Sequence, residues 1–472
     1  MVKLETIISL AKRRGFVFQS SEIYGGLNGF WDYGPLGVEL LNNYKQAWWR
    51  EMTYRDDIVG VDAAIIMHPK TWVASGHVAQ FSDPMIDNKV SKARYRADNL
   101  IEEYIQKLRN KNKNDLANEI EAKLNKAEKN EDYFEIITSY QIPDPVSGST
   151  DWTEVRNFNL MFKTFVGPVE DESSVVYLRP ESAQGIFVNF KNVMDSARMK
   201  PPFGIAQIGK AFRNEINTKN FLFRTREFEQ MEMQYFIKPG TEKEWFEYWK
   251  EQRWHWYVKM GMKESKMRWK VHEKLAHYAN YAVDIEFEFP FGFGEIEGIH
   301  SRTDFDLSNH QIHSGKKLEY VDTVNQERYV PYVIETSGGV SRGFMAMLCN
   351  AYDEEKITED GKEDTRVVLR FHPRLAPITL AVFPLVNKDG MPEYAHKIYK
   401  DLQKYFPTQY DTSGAIGRRY RRQDEIGTPF CVTVDGQTLE DHTVTIRNRD
   451  SMLQDRINVS KIREYIEERL DL

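Results

Sequence analysis

Phe212-Arg213-Asn214-Glu215, a short gap, and then Phe223-Arg224-Thr225-Arg226-Glu227-Phe228-Glu229-Gln230-Met231-Glu232 reads as two strand-like runs flanking a turn. Such a pair predicts an antiparallel hairpin. Strand side chains alternate between faces, so Arg224, Arg226, Phe228, Gln230 and Glu232 are expected on one face of the second run. Arg213 and Glu215 are expected together on the first. A sheet surface with three arginines, a ring and several carboxylates is costly to bury without partners. Either the charges neutralise one another in a structural network, or the face meets a ligand. In the second case it offers forked guanidinium donors for phosphate, a ring for a base and carboxylates for a cation.

A second charged element follows. In Glu335-Thr336-Ser337-Gly338-Gly339-Val340-Ser341-Arg342, Glu335 and Ser337 share a strand face. The glycines allow backbone to approach a ligand closely. Arg342 then opens an apolar helix, where the helix dipole disfavours a cation unless an anion lies near.

Outward from these runs the pattern is mixed. An amphipathic helix is expected over Met1–Phe16, and a long one over Val38–Tyr54 after Gly34-Pro35-Leu36-Gly37. The apolar stripe Leu41, Tyr44, Trp48 and Met52 suits either a core or a subunit interface. Residues 98–135 are rich in Lys, Glu, Asn and Asp and predict one or two charged surface helices. Residues 175–236 read as β-rich and 241–262 as helical. Strands are expected over 283–289, 293–299 and 332–337, with a helix from Gly343 to Tyr352. Asp353–Asp364 reads as a surface loop. Beyond it, strands alternate with helices, which predicts a small α/β domain of about 100 residues.

The chain has 472 residues, of which 41% are hydrophobic, enough for several cores. A net charge of -7 excludes a uniformly basic coat, so any nucleic-acid binding must use local patches. Two cysteines, Cys349 and Cys431, are too few for a disulfide framework or a four-cysteine zinc site. With no membrane-length apolar run, a cytoplasmic protein is expected. Gly204-Ile-Ala-Gln-Ile-Gly209-Lys210-Ala211 imitates a P-loop but lacks the final hydroxyl and runs on into a strand pattern. The histidines show no paired helical spacing for zinc, and His310 and His313, the nearest pair, read as ordinary polar residues.

The two charged elements resemble motifs 2 and 3 of class II aminoacyl-tRNA synthetases, and the Pro35 segment with its helix resembles motif 1. Within that class the chain is most similar to the dimeric glycyl-tRNA synthetases. It carries Trp31-Asp32-Tyr33-Gly34-Pro35-Leu36-Gly37, Ala74-Ser75-Gly76-His77, Arg96-Ala97-Asp98, Leu178-Arg179-Pro180-Glu181 and Ser301-Arg302-Thr303-Asp304-Phe305-Asp306-Leu307. The resemblance implies an α+β catalytic domain over 1–370, built on an antiparallel sheet flanked by helices, with a charged helical insert at about 98–150. An α/β anticodon-binding domain would occupy 371–472.

It also implies the activity and its parts. Glycine and ATP would give glycyl-adenylate, and the glycyl group would pass to tRNA(Gly). Arg213 would hold the α-phosphate, Arg342 the far phosphates, and Glu295 the Mg2+ that accompanies ATP. Asn214, Glu215, Phe223, Arg224, Thr225, Arg226, Glu227, Phe228, Ile296, Gly339, Val340 and Ser341 would complete the ATP site. Glycine would lie among Arg96, Glu181, Phe228, Glu229, Gln230, Met231, Glu232, Glu335, Thr336, Ser337, Gly338 and Gly339. Arg418, Arg419, Arg421 and Arg422, around Tyr420, would meet tRNA. A homodimer is implied and a membrane association is not. A non-catalytic relative with a synthetase-like fold, or an adenylate-forming enzyme with another acceptor, would share part of this pattern.

Overall fold

The structure is a computed structural model that describes residues 2–272, 279–359 and 362–470. The chain divides into two compact units, residues 1–67 with 181–472, and residues 68–180.

In the larger unit, helix α1 (Leu4–Arg13) buries Ile7, Leu10 and Ala11. Helix α2 (Pro35–Thr53) starts on Pro35, whose fixed φ suits the first turn. Gly37 is required there, because a Cβ would stand 1.8 Å from the Phe16 carbonyl oxygen. The stripe Leu41, Tyr44, Trp48 and Met52 is buried in the chain's own core. Strand β1 (Ile58–Gly60), helix α3 (Ala183–Ser196), β2 (Phe203–Phe212), β3 (Glu227–Ile237), helix α4 (Glu242–Lys259), β4 (Met267–Val271), β5 (Tyr281–Phe289), β6 (Gly292–Thr303), helix α5 (Phe305–Ser314), β7 (Tyr332–Gly339) and helix α6 (Val340–Ala351) follow.

The strands form one seven-stranded sheet, ordered β4-β5-β6-β7-β3-β2-β1. All neighbours are antiparallel except β1 beside β2. Alternation sends Met231, Met233, Tyr235 and Ile237 into the large core that α2, α4 and α6 cover. Helix α6 is buried almost all round, as its apolar composition requires. On the other face, α3 packs Phe187 and Phe190 against Phe203 and Phe236 at one end of the sheet. The remaining end carries polar residues.

Sequence and structure part in two places. Residues 183–196, within a stretch expected to be β-rich, form α3. The acidic run 353–364 is not a loop: β8 (Tyr352–Glu359) and β9 (Lys362–Leu369) make a hairpin, whose residues 360–361 lie outside the described set. An exposed two-stranded ribbon needs few apolar residues, so its composition reads as loop. The P-loop lookalike belongs to β2.

Beyond the hairpin come β10 (Leu380–Pro384), α7 (Met391–Leu402), β11 (Thr408–Tyr410), α8 (Ile416–Ile426), β12 (Phe430–Val434), β13 (Thr443–Asn448), β14 (Gln454–Asn458) and α9 (Ile462–Leu470). They build a five-stranded mixed sheet, β11-β10-β12-β13-β14, around a core of its own.

The smaller unit holds a three-stranded antiparallel sheet of Arg94–Arg96, Ser82–Asp87 and Arg156–Asn159. Three helices, Ala97–Asn110, Asn114–Leu124 and Asn130–Ser139, accompany it where one or two were expected. They are not merely solvated: Ile101, Ile105, Leu108, Ile120, Ile136 and Ile137 form a separate core. The stretch expected as an insert, 98–150, falls inside this unit.

Candidate active site

The polar end of the sheet is assembled by register. Glu232 on β3 lies opposite Ser337 on β7, which lies opposite Gly298 on β6. Gln234 lies opposite Glu335, which lies opposite His300. These two rows floor a cavity of about 220 Å³, roofed by the 213–226 loop and closed by Glu295 and Arg342.

Two register shifts along β6 shape its wall. Glu286 pairs with Glu295 but Ile285 pairs with Glu297, so Ile296 is an extra residue in the ladder. Such a bulge re-aims the side chains on either side of it. Ile296 goes into the main core, and Glu297 is buried in an ion pair of 2.6 Å with Arg253 of α4. Glu295 is thereby returned to the cavity face.

The acidic end holds three carboxylates, Glu181, Glu232 and Glu335. Arg302 donates to both oxygens of Glu335 at 3.2 Å and is itself clamped by Asp306 at 2.8 and 3.1 Å. His300 Nδ1 is 2.9 Å from Glu335, and Gln234 donates to it at 2.8 Å. Burial alone would raise the Glu335 carboxyl, but the charge of Arg302 and the His300 contact hold it well below the ordinary carboxylate range. Among the described residues no cation pairs with Glu232. Ser337 and Ser182 hydroxyls and Gln230 donate to it, yet burial and then the charges of Glu335 and Glu181 push its pKa up to about 7. Three carboxylates gathered on one wall of a small cavity suit an ammonium ligand.

The other end is cationic. The guanidinium of Arg342 lies 4.5 Å from the Phe223 ring centre, donates to the Phe223 carbonyl at 3.1 Å and pairs with Glu295 at 2.9 Å. Although burial favours the neutral acid, Arg342 keeps the Glu295 carboxyl below its usual pKa. Arg213 lies 5.4 Å from the ring centre of Phe228. The two guanidiniums thus open onto one cavity and each covers an aromatic face.

Most of the expected residues meet here: Arg213, Glu215, Phe223, Arg224, Thr225, Phe228, Glu295, Gly339, Ser341 and Arg342, with Glu181, Glu229, Gln230, Glu232, Glu335 and Ser337. Others do not line the cavity. The strands end at Phe212 and Glu227, so Arg213, Arg224 and Arg226 belong to the connecting loop and no strand face orients them. Arg226 is spent on backbone, donating to the carbonyls of Glu215 at 2.8 Å and Asn28 at 2.6 Å. Asn214 also lies in the loop, off the cavity wall. Glu227 pairs with Lys210 at 2.6 Å on the strand edge. Met231, Ile296 and Val340 point into the main core. Thr336 is buried on the core side of β7, and Gly338 lies opposite Met231 and Glu297. Arg96 belongs to the smaller unit, where Asp83 and Asp98 hold it at 3.0 and 2.5 Å. The cavity also has members no role was expected for: Leu222, Gly298, His300 and Arg302. Alternation along β6 was the available signal, because 298, 300 and 302 share a face.

The expected basic patch on α8 is only partly a surface. Arg418 is exposed, but Arg419 is 2% exposed and donates to the Gly414 and Pro384 carbonyls. Arg422 pairs with Asp411, and Arg421 lies 3.4 Å from the buried Asp424. The Tyr420 hydroxyl bonds Thr433, and its ring packs on Phe383. A helical repeat of 3.6 turns 419, 423 and 426 inward, which splits a run that looks continuous in sequence.

Three family models match along the chain. The family model of the class II tRNA synthetase core domain (G, H, P, S and T) matches residues 164–352. Glycyl-tRNA synthetase insertion domain 1 matches 83–119 and 112–160, and an anticodon binding domain matches 379–469. A glycine–tRNA ligase of Treponema denticola is 57% identical over 461 residues, 97% of this chain and 94% of that protein. Another, from Chlorobaculum tepidum, is 56% identical over 99% of this chain and 100% of its own length. The Caldanaerobacter subterraneus glycine–tRNA ligase is 54% identical over 99% of each.

Proposed function

Since the chain belongs to the glycine–tRNA ligases, class II aminoacyl-tRNA synthetases, we propose that its cavity activates glycine with ATP and hands the glycyl group to tRNA(Gly). One observation carries the reading: Glu181, Glu232 and Glu335 at one end and Arg213 and Arg342 at the other face a single cavity above an antiparallel sheet. The acidic end suits an ammonium and the cationic end suits phosphates.

A glycine carboxylate oxygen attacks the α-phosphorus of ATP, and pyrophosphate leaves. The terminal ribose hydroxyl of the tRNA then attacks the glycyl carbonyl, and AMP leaves. Neither step needs a protein nucleophile, so the protein contributes position and charge. Glu181 and Glu232 hold the ammonium, and Arg302 keeps Glu335 ionised beside them. Arg213 meets the charge that grows on the α-phosphate, and Arg342 meets the outer phosphates. Glu295 would hold the Mg2+ that accompanies the nucleotide, which would screen the phosphate charge. Phe228 stacks on adenine once Arg213 has left its ring for the phosphate. Larger amino acids are excluded by clash in the small acidic end, so selection against them needs no editing step. Arg418, on the exposed side of α8, contacts tRNA.

The protein acts as a homodimer of 55.4 kDa chains, which sedimentation at micromolar concentration tests directly. Both cysteines are buried and unpaired, which suits a reducing compartment such as the cytoplasm. Among the described residues no helix is long and apolar enough to cross a membrane.

The decisive experiment is ATP–pyrophosphate exchange with each of the twenty amino acids. Exchange with glycine alone is expected. Robust exchange with alanine or serine, or none with glycine, would reject the reading.

A further inference from the structure

Beside the cavity, the sheet carries a cluster that the chemistry above does not use. His272 follows β4, and its N–H donates to the Ala282 carbonyl at 3.2 Å. Ala282 lies opposite His300, and His300 lies opposite Glu335. One row across four strands therefore reads His272, Ala282, His300, Glu335. In the next row Asp284 lies opposite Gly298.

The smallest side chains stand between the largest. The two imidazoles lean toward each other across Ala282, with ring centres 6.1 Å apart and planes at 87°. Asp284 Oδ2 is 2.8 Å from His272 Nε2. A Cβ on Gly298 would stand 3.1 Å from His300 Nε2 and 3.4 Å from Asp284 Oδ1. The Cε1–Nε2 edge of His300, whose Cε1 is nearest at 2.7 Å, and Asp284 Oδ1 therefore border one spot that any side chain at 298 would fill. One ligand atom from each of the three residues lies within 4.8 Å of the others.

We propose that His272, Asp284 and His300 bind a divalent transition-metal ion of the zinc class at the edge of the acidic cavity. Tetrahedral zinc with bonds of about 2.0–2.1 Å holds its ligand atoms roughly 3.3 Å apart, a contraction that small side-chain rotations supply. Two imidazoles and a carboxylate suit zinc, whereas magnesium prefers an all-oxygen shell with water. The site is thus distinct in chemistry from a phosphate-borne magnesium at Glu295. His300 also has the supporting contact that metal-bound histidines show, since its Nδ1 faces the Glu335 carboxylate at 2.9 Å and Nε2 is left for the ion. The fourth position opens onto the cavity, which both Gly298 and His300 line.

The test uses the full chain, stripped with a chelator and titrated with zinc chloride by calorimetry. Metal content is counted after desalting. Retention of one zinc per chain is expected. His272→Ala is the first variant, because His272 is 34% exposed and outside the core. It should weaken zinc at least tenfold, as should Asp284→Asn, while the surface control His313→Ala should not. Cobalt provides an independent readout: the visible bands of a tetrahedral site are expected in the parent chain and lost in His272→Ala. No retained zinc, or zinc held as tightly by His272→Ala as by the parent, overturns the proposal.

Discussion

Arg213 faces the cavity from a loop, outside the packed cores, so its removal should separate chemistry from folding. Arg213→Ala is expected to lower the kcat/KM of pyrophosphate exchange about 10²–10³-fold, the usual cost of losing one preorganised donor to a developing charge. The melting temperature should move by no more than about 2 °C; a large fall would make the residue structural. Glu232 gives the pH dependence. Its carboxyl is raised by burial and by the charges of Glu335 and Glu181, with Arg302 bound to Glu335 and the Ser182 and Ser337 hydroxyls on Glu232 itself. In the folded chain it keeps a proton that the unfolded chain releases near the ordinary carboxylate pKa. Its contribution to stability is therefore full in acid and is lost as pH rises toward 7. An ammonium favours the ionised form, so the KM for glycine should fall as pH goes from 6 to 8. Glu232→Gln is expected to raise that KM roughly 10–100-fold, as for a lost charge-assisted bond, and to flatten its pH profile. A variant whose profile matches the parent would show that another group titrates.

The elements that carry the site were unequally legible, and the reasons are physical. Strand alternation alone puts Glu232, Glu335 and Ser337 on the cavity face, because β3 and β7 run straight through those positions. The same rule failed at Arg226, since the ladder stops at Glu227 and a loop residue has no obligatory face, although Arg224 of the same loop does reach the cavity. It would also have misplaced Glu295 relative to Gly298, because the extra residue at Ile296 depends on pairing with β5 that no single strand encodes. The His272–Asp284–His300 cluster was invisible for a like reason: its residues lie on two neighbouring strands and just past the end of a third, and only register brings them together. Arg419 was misread because its helix shows the same residue type to protein and to solvent. The loop yields a test of its own. Arg226 staples it from within: its N–H donates to the Gly29 carbonyl, its carbonyl accepts from Arg213, and its fork reaches Glu215 and Asn28. Arg226→Ala should raise the KM for ATP about tenfold through loop disorder, while the KM for glycine changes less than about threefold. Lysine should not restore it, having no planar fork. Equal effects on both substrates would mean the loop also shapes the acidic end.

At the scale of the larger unit, the question is how a sheet-based reaction centre and a C-terminal α/β module share one body. The joint is polar and buried. Arg366 of β9 is fully buried and donates to Asp424 of α8 at 2.8 Å, and Arg447 of β13 grips the same carboxylate at 2.9 and 3.1 Å. Arg449 donates to the carbonyls of Gly427 and Phe371, and Arg14 of α1 pairs with Glu425. The β8–β9 hairpin therefore anchors the C-terminal module through one carboxylate that serves two buried guanidiniums. Burial opposes the charge on Asp424, but Arg366 and Arg447 hold its pKa below the usual value, so the joint keeps its contribution above the carboxylate range and loses it in acid. Removing one member of such a group strands the others uncompensated, at a cost of about 3–5 kcal/mol. Asp424→Asn is accordingly expected to split calorimetric melting into two transitions, the C-terminal module unfolding first. Exchange without tRNA should be retained at 25 °C, because the cavity is built from the sheet, its loop, α6 and Glu181 ahead of α3, with no residue of the C-terminal module in its wall. Aminoacylation, which needs both modules on one tRNA, should fall further than exchange. If exchange and aminoacylation fell in parallel, or melting stayed single and unmoved, the joint would not be what couples the two modules.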